Sequence, residues 1–212
     1  MPPLASRFVR DAQRSVDIAQ AGEIARSASP LGSVPRRELT TARVGLLYEL
    51  AYLRMFASWE AFLEDSFLRM MCGWISALHL PLLRSPHTPF ATIGEARAAL
   101  LNGRDFILWH NPNAVERRCV KWFSDGVHSE VLASDEARLE WYAAVRHRIA
   151  HGSAQVKKEM DIASMGLAGQ RYPGASAGSF LRDWRSSEPL IQERWLRTIA
   201  VELMELARQI AP

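Results

Sequence analysis

Apolar residues recur at intervals of three and four along almost the whole of this 212-residue chain. That spacing places them on one face of an α-helix, whereas the alternation of apolar and polar residues that is typical of strands is scarce. The C-terminal segment shows the pattern most clearly, with Leu196, Ile199, Leu203, Leu206 and Ile210. The periodicity therefore predicts an all-α protein.

The helix-stop signals divide the chain into a few long helices and two irregular stretches. We expect a helix at about 5–28 and either one very long helix or two helices stacked end to end at about 36–78, with Gly45 and Gly73 as weak points. Another helix should run from Ser134 to His151, where Gly152 supplies a stop. A last helix should follow the turn at Ser187-Glu-Pro189. These boundaries place His151 at a helix end.

Length and composition favour one domain over several. A chain with 48% hydrophobic residues can bury a substantial core, and its 212 residues are close to the usual size of one domain. The proline-rich stretch at 79–89 and the glycine- and serine-rich stretch that starts at 166 interrupt the helical pattern. We therefore expect a single domain over residues 1–212, with a small helical insertion at about 80–130 and a flexible loop at about 166–187.

Charge and cysteine usage exclude several functional classes. The formal net charge is only +3, without a concentrated basic tail, so charge alone identifies no partner. Cys72 and Cys119 lie far apart and lack zinc-ligand spacing, which argues against structural zinc and against a disulfide scaffold. Neither a signal-peptide core nor a run of about 18 apolar residues is present. We expect a cytoplasmic protein that does not bind or span a membrane.

The segment from Tyr142 to Gly152 contains three side chains that suit cleavage of a phosphodiester: Arg146, His147 and His151. An arginine can stabilise the charge that builds on the phosphate in the transition state. A histidine, whose ordinary pKa lies near neutrality, can move the proton of a ribose 2'-hydroxyl. This chemistry needs no metal or other cofactor.

Helical geometry separates these three residues. At about 100° per residue, His147 and His151 lie about 40° apart on one face, while Arg146 lies about 140° from His151. Arg146 therefore projects toward the edge of the apolar face of its helix and needs an acidic partner. Glu60 falls inside the apolar stripe of the long second helix, so we hypothesise that its carboxylate pairs with Arg146 or orients a histidine. The stripe consists of Tyr52, Phe56, Trp59, Leu63 and Phe67.

Two segments together resemble the HEPN domain family. The stretch Arg146-His147-Arg-Ile-Ala-His151 is similar to the Arg-x4-His signature of that family. The stretch Trp59-Glu-Ala-Phe-Leu-Glu64 and the Arg-x-x-Ile-Ala-His-Gly pattern are similar to one bacterial subgroup of it. The resemblance covers roughly residues 42–153.

The resemblance implies an antiparallel helical bundle that forms a homodimer, with two motif helices facing each other across a cleft. It also implies a metal-independent endoribonuclease acting on RNA, as a toxin or phage-defence effector with an antitoxin or another protein as partner. Arg146 would bind and polarise the scissile phosphate, His151 would act as general acid or base, and His147 would assist. Related toxins carry a tyrosine two residues after the histidine, where this chain has Ser153. Neutralisation through that tyrosine is therefore not expected here.

Two other interpretations fit the same residues. In the first, the protein is a non-catalytic helical module that binds RNA, a nucleotide or a protein, and Arg146 and His151 serve ion pairing and the helix dipole. In the second, Glu140, His147 and His151 bind a metal, since the two histidines have the i, i+4 spacing of metal ligands. The chain lacks the His-Glu-x-x-His motif that would favour this metal site.

Overall fold

The computed structural model describes residues 4–186 and 193–211. These residues form ten α-helices and a short 3-10 turn at Pro173–Ala175, and their extended pairing is limited to isolated bridges. The prediction of an all-α helical bundle is confirmed. The helices are α1 Leu4–Ala28, α2 Val34–Glu38, α3 Thr41–Met71, α4 Ile93–Leu101, α5 Pro112–Trp122, α6 Val127–Ala133, α7 Glu136–Ala150, α8 Ala154–Ala168, α9 Ala177–Arg182 and α10 Trp195–Ile210.

The segment at 36–78, expected as one very long helix or as two stacked end to end, forms the two helices α2 and α3 and ends earlier than predicted. A break at Leu39 and Thr40 separates α2 from α3, and α3 ends at Met71. Gly73 follows with a φ of 83°, a left-handed conformation that glycine adopts without a steric penalty. The other expected weak point, Gly45, lies within α3, which continues through it without interruption.

The chain divides into two compact units. The first comprises the described parts of residues 1–9, 58–139 and 203–212, and the second comprises residues 10–57 and 140–202 except those that the structure leaves undescribed. The segment expected as an insertion at about 80–130 belongs to the first unit, where it contains α4, α5 and α6. A single domain over residues 1–212 stays a prediction.

Aromatic side chains form the core of the first unit. The ring of Phe67 lies 5.5 Å from Trp109, 5.1 Å from Phe123 and 5.3 Å from His128, measured between centroids. The loop after α3 is attached to this core, because the amide of Arg84 donates to the carbonyl of Trp122 at 2.9 Å.

The apolar stripe predicted for the long helix is confirmed as buried along its whole length: Tyr52, Phe56, Trp59, Leu63 and Phe67.

In the second unit, a close backbone approach and an ion pair hold α9. A Cβ atom on Gly178 would lie 2.7 Å from the carbonyl oxygen of Gly45, so glycine is needed where α9 meets α3. The guanidinium of Arg182 donates to both carboxylate oxygens of Glu23, at 2.9 and 3.0 Å. Burial acts to raise the pKa of Glu23, but the hydrogen bond and positive charge of Arg182 hold it below its ordinary value.

Part of the stretch expected as a flexible loop at about 166–187 is helical. The end of α8, the 3-10 turn and the whole of α9 lie within it, and Gly169 ends α8 in a left-handed conformation with a φ of 68°. The flexibility of this stretch stays a prediction. The expected turn at Ser187-Glu-Pro189 lies outside the described residues, and α10 begins at Trp195.

Among the helices that the structure describes, none combines the length and the apolar composition needed to cross a membrane.

Candidate functional site

The two motif histidines are neighbours at the C-terminal end of α7. The helix ends at Ala150, and the amide of His151 still donates to the carbonyl of His147 at 2.9 Å, so the helical geometry continues to His151. The ring centroids of the two histidines are 6.5 Å apart. His151 is exposed and His147 is half-buried. Two imidazoles are therefore held close together beside solvent, as the sequence spacing predicts.

Arg146 lies on the same helix but on a different face. Because α7 is continuous from Glu136 to Ala150, the separation of about 140° between Arg146 and His151 is retained. Its side chain is half-buried, in agreement with a position at the edge of the apolar face. A single copy of α7 thus brings the two histidines together and directs the arginine elsewhere.

Glu60 lies in the first unit, where it contacts a histidine outside the motif. Its Oε1 atom is 3.2 Å from Nδ1 of His110, and both side chains are largely buried, at 24% and 10% exposed. The role of His110 is not predictable from the sequence, because no short spacing connects it to Glu60. The pairing of Glu60 with Arg146 stays a prediction.

Arg148 is a residue of this site that sequence reasoning missed. Its guanidinium donates to the carbonyls of Ala175 at 2.9 Å, of Gly174 at 3.3 Å and of His151 at 3.4 Å. It therefore joins the end of α7, including the backbone of His151, to the 3-10 turn at Pro173–Ala175. A basic residue in the last turn of a helix is suited to such carbonyl contacts, and this was the available signal.

The hydroxyl groups of two tyrosines connect the motif helix α7 to α3 and α10. The hydroxyl of Tyr52, on α3, donates to the carbonyl of Tyr142 at 2.8 Å, and both residues are buried. The hydroxyl of Tyr142 donates in turn to the carboxylate of Glu202 on α10. The start of the Tyr142–His151 segment is thus held by polar contacts from two other helices of the second unit.

Substitution of Tyr52 by phenylalanine should lower the free energy of unfolding by about 1 kcal/mol, because it removes a buried hydrogen bond and retains the rest of the side chain. Chemical denaturation monitored by circular dichroism measures this change.

Tyr48 offers a matched control one helical turn away. It is also buried, and its hydroxyl has no hydrogen-bond partner among residues 4–186 and 193–211. Tyr48→Phe should therefore leave stability unchanged or raise it, since it removes an unsatisfied polar group. A similar decrease in stability in both variants would show that the bond to Tyr142 is not the cause.

No metal-ligand cluster accompanies the motif. The described residues contain no group of three or more His, Cys, Asp or Glu side chains placed to hold a metal ion. The alternative set of Glu140, His147 and His151 is therefore not grouped as ligands in this structure.

No protein-family model matches the chain, and no curated protein or solved structure shows significant similarity to it. The resemblance to HEPN domains consequently rests on the residues of α3 and α7 themselves.

Proposed function

We propose that this protein is a cytoplasmic, metal-independent endoribonuclease of HEPN type. The observation that carries the proposal is the pair of histidines at the end of α7, with ring centroids 6.5 Å apart. Attack of a 2'-hydroxyl on the adjacent phosphate needs one group to remove a proton and another to protonate the leaving oxygen. Two neighbouring imidazoles can supply both functions.

In this mechanism the 2'-hydroxyl oxygen forms a bond to phosphorus, and the bond from phosphorus to the 5'-oxygen of the next nucleotide breaks. His151 either removes the proton of the 2'-hydroxyl or donates a proton to the leaving 5'-oxygen, and His147 assists by carrying out the other of these two transfers. The products are a 2',3'-cyclic phosphate and a 5'-hydroxyl. Arg146 stabilises the negative charge on the non-bridging oxygens.

The direction of Arg146 favours a site that two copies of the chain form together. Because Arg146 projects about 140° away from His151 on one helix, a second copy of α7 provides the simplest way to bring both residues to one phosphate. We therefore propose a homodimer whose two motif helices face a common cleft. Regulation as a toxin or defence effector, with an antitoxin or another protein partner, belongs to the same proposal.

The direct test is RNA cleavage in EDTA. Wild-type protein is expected to cut single-stranded RNA and to leave a 2',3'-cyclic phosphate, which mass spectrometry identifies. It should not cut the same sequence with a 2'-deoxy nucleotide before each phosphate, because the attacking hydroxyl is then missing. Intact RNA across a range of salt and pH would contradict the proposal and favour the non-catalytic binding module.

A further inference from the structure

The loop between α4 and α5, residues 102–111, is attached to the core of the first unit through its C-terminal end, residues 109–111. Trp109 is 4% exposed and packs edge-on against Phe67. The next residue, His110, is held by Glu60 at 3.2 Å, and Asn111 caps α5 by accepting from the amide of Ala114 at 3.0 Å. The backbone at this end of the loop is therefore held in place by packing and hydrogen bonds.

Arg118, on α5, lies against this loop in an unusual environment. Its Cζ atom is 4.8 Å from the centroid of the Trp109 ring, and its Nη2 donates to the carbonyl of Leu108 at 2.6 Å. Its Nη1 is buried and has no hydrogen-bond partner in the described part of the chain. The guanidinium is thus fixed in place with one of its donor groups unused.

The charge around Arg118 is uncompensated. Burial, together with the positive charges of Arg117 and Arg104, lowers its pKa to about 10, so it remains charged at neutral pH. For residues 4–186 and 193–211, no carboxylate lies within 4.0 Å of any of these three arginines. Glu116 lies about 200° from Arg118 on the helix and lines a small cavity elsewhere.

A half-buried cation without a counter-charge costs free energy, and an anion from outside the chain would recover it. Guanidinium groups are especially suited to phosphate, because their planar fork can donate two parallel hydrogen bonds. Phe106, between Arg104 and Leu108 in the same loop, is 70% exposed. An exposed aromatic ring beside phosphate-binding groups is typical of surfaces on which the bases of single strands stack.

We propose that Arg104, Arg117 and Arg118 bind a backbone phosphate of single-stranded RNA, and that Phe106 stacks on a neighbouring base. The choice of RNA as the ligand rests on the proposed function, while the anion site itself rests on the unpaired arginines. This loop site lies in the first unit and the motif histidines lie in the second. The proposed RNA-binding surface is therefore separate from the motif histidines.

Binding is measured by fluorescence anisotropy of a labelled single-stranded oligouridine, in the His151→Ala background, where cleavage is expected to be slow. Joint replacement of Arg104 and Arg117 by glutamine is expected to raise Kd about tenfold. It should also reduce the salt dependence, by about 0.7 in log–log slope for each phosphate that the variant no longer neutralises. Joint replacement of Arg7 and Arg10, both exposed on α1, by glutamine removes the same two charges and should alter Kd less than about twofold.

Two further variants test the proposed geometry. Phe106→Ala should raise Kd about fivefold or more if a base stacks on the ring. Arg118→Lys keeps the charge but not the planar fork, so it should also weaken binding. Unchanged affinity in the Arg104/Arg117 pair and in Phe106→Ala would overturn the proposal, as would an absence of RNA binding by the His151→Ala protein.

Inorganic phosphate, added as competitor, separates RNA from a small anion as the occupant. Displacement of the oligouridine only at millimolar phosphate supports an RNA site, and displacement at micromolar phosphate would overturn it in favour of a small-anion site.

The outcome of the binding measurements is distinguishable from that of the cleavage assay. If the arginine variants weaken binding but wild type cuts no RNA, the loop site stands and the ribonuclease does not. If wild type cuts RNA but the arginine variants bind RNA normally, the ribonuclease proposal stands and the loop site does not.

Discussion

Replacement of His151 by alanine is expected to slow RNA cleavage by about two to four orders of magnitude, the usual contribution of a general acid or base. Arg146→Ala should slow it by about two to three orders, because it removes charge stabilisation of the transition state. The measurement is the single-turnover rate on a labelled RNA in EDTA.

His79 provides the matched control for this experiment. It forms a surface contact with Glu130 at 3.3 Å in the first unit, so His79→Ala should change neither the rate nor the fold appreciably. Circular dichroism establishes that each variant is folded. Wild-type rates in folded His151→Ala and Arg146→Ala proteins would place the chemistry outside α7 or trace it to a contaminating nuclease.

Mixing the His151→Ala and Arg146→Ala variants tests the proposed homodimer. If each site uses Arg146 of one copy and His151 of the other, a dimer of one variant with the other retains one complete site. After exchange of subunits at equal concentrations, about a quarter of wild-type activity should return. A mixture as inactive as its components would show that the site is formed within one copy.

The stability of the protein should fall as the pH decreases below about 6.5, and His128 should be a major cause. This residue is completely buried against Phe67, with its Nε2 atom 2.9 Å from the hydroxyl of Ser66. Burial lowers its pKa from 6.5 to about 3. The unfolded chain therefore binds a proton near pH 6.5, while the folded chain does so only near pH 3.

Because the unfolded chain binds the proton at a higher pH than the folded chain, the free energy of unfolding decreases as the pH falls. Above pH 6.5 both states hold a neutral His128 and its contribution to stability is complete. Between pH 6.5 and about 3, protonation favours the unfolded state, at a slope that approaches about 1.4 kcal/mol per pH unit for this one group. The free energy of unfolding, measured in urea at a series of pH values, should show this decline.

His128→Gln removes the titrating group and should reduce the slope in that range. His87→Gln serves as control, because His87 is a half-buried histidine of the same unit, with its ring centroid 4.4 Å from that of Trp122. Carboxylates such as Glu23 contribute to acid lability in every variant, so the comparison of slopes isolates His128. Equal slopes in wild type and His128→Gln would mean that the buried imidazole is not responsible.

Local rules explain what could be predicted of the fold. The apolar stripe of α3 and the helical spacing in α10 depend on contacts that repeat every three or four residues, which a sequence displays directly. The neighbouring positions of His147 and His151 depend on the same period. The break after α2 was harder to predict, because helix ends are marked by short capping contacts such as that of Thr40, whose hydroxyl accepts from the amide of Arg43 at the start of α3.

The contacts that support the candidate sites follow no local rule. Tyr52 and Tyr142 are 90 positions apart, and Glu60 and His110 are 50 apart, so no spacing in the chain indicates either pair. The unused donor of Arg118 is equally invisible in the sequence, since an adjacent pair of arginines usually lies on a solvated helix face. These long-range contacts and the unused donor depend on which segments pack together.

The sequence by itself determined the helical class, the paired histidines at the end of α7 and the different direction of Arg146, because the helical period alone sets these relations. Only the tertiary structure decided that Glu60 contacts His110 and that Tyr52 and Arg148 hold the motif helix. It also decided that Arg118 is half-buried, with one donor group unused in the described part of the chain. The physical reason is that burial and long-range hydrogen bonds arise from the packing of distant segments, which a repeating local pattern does not specify.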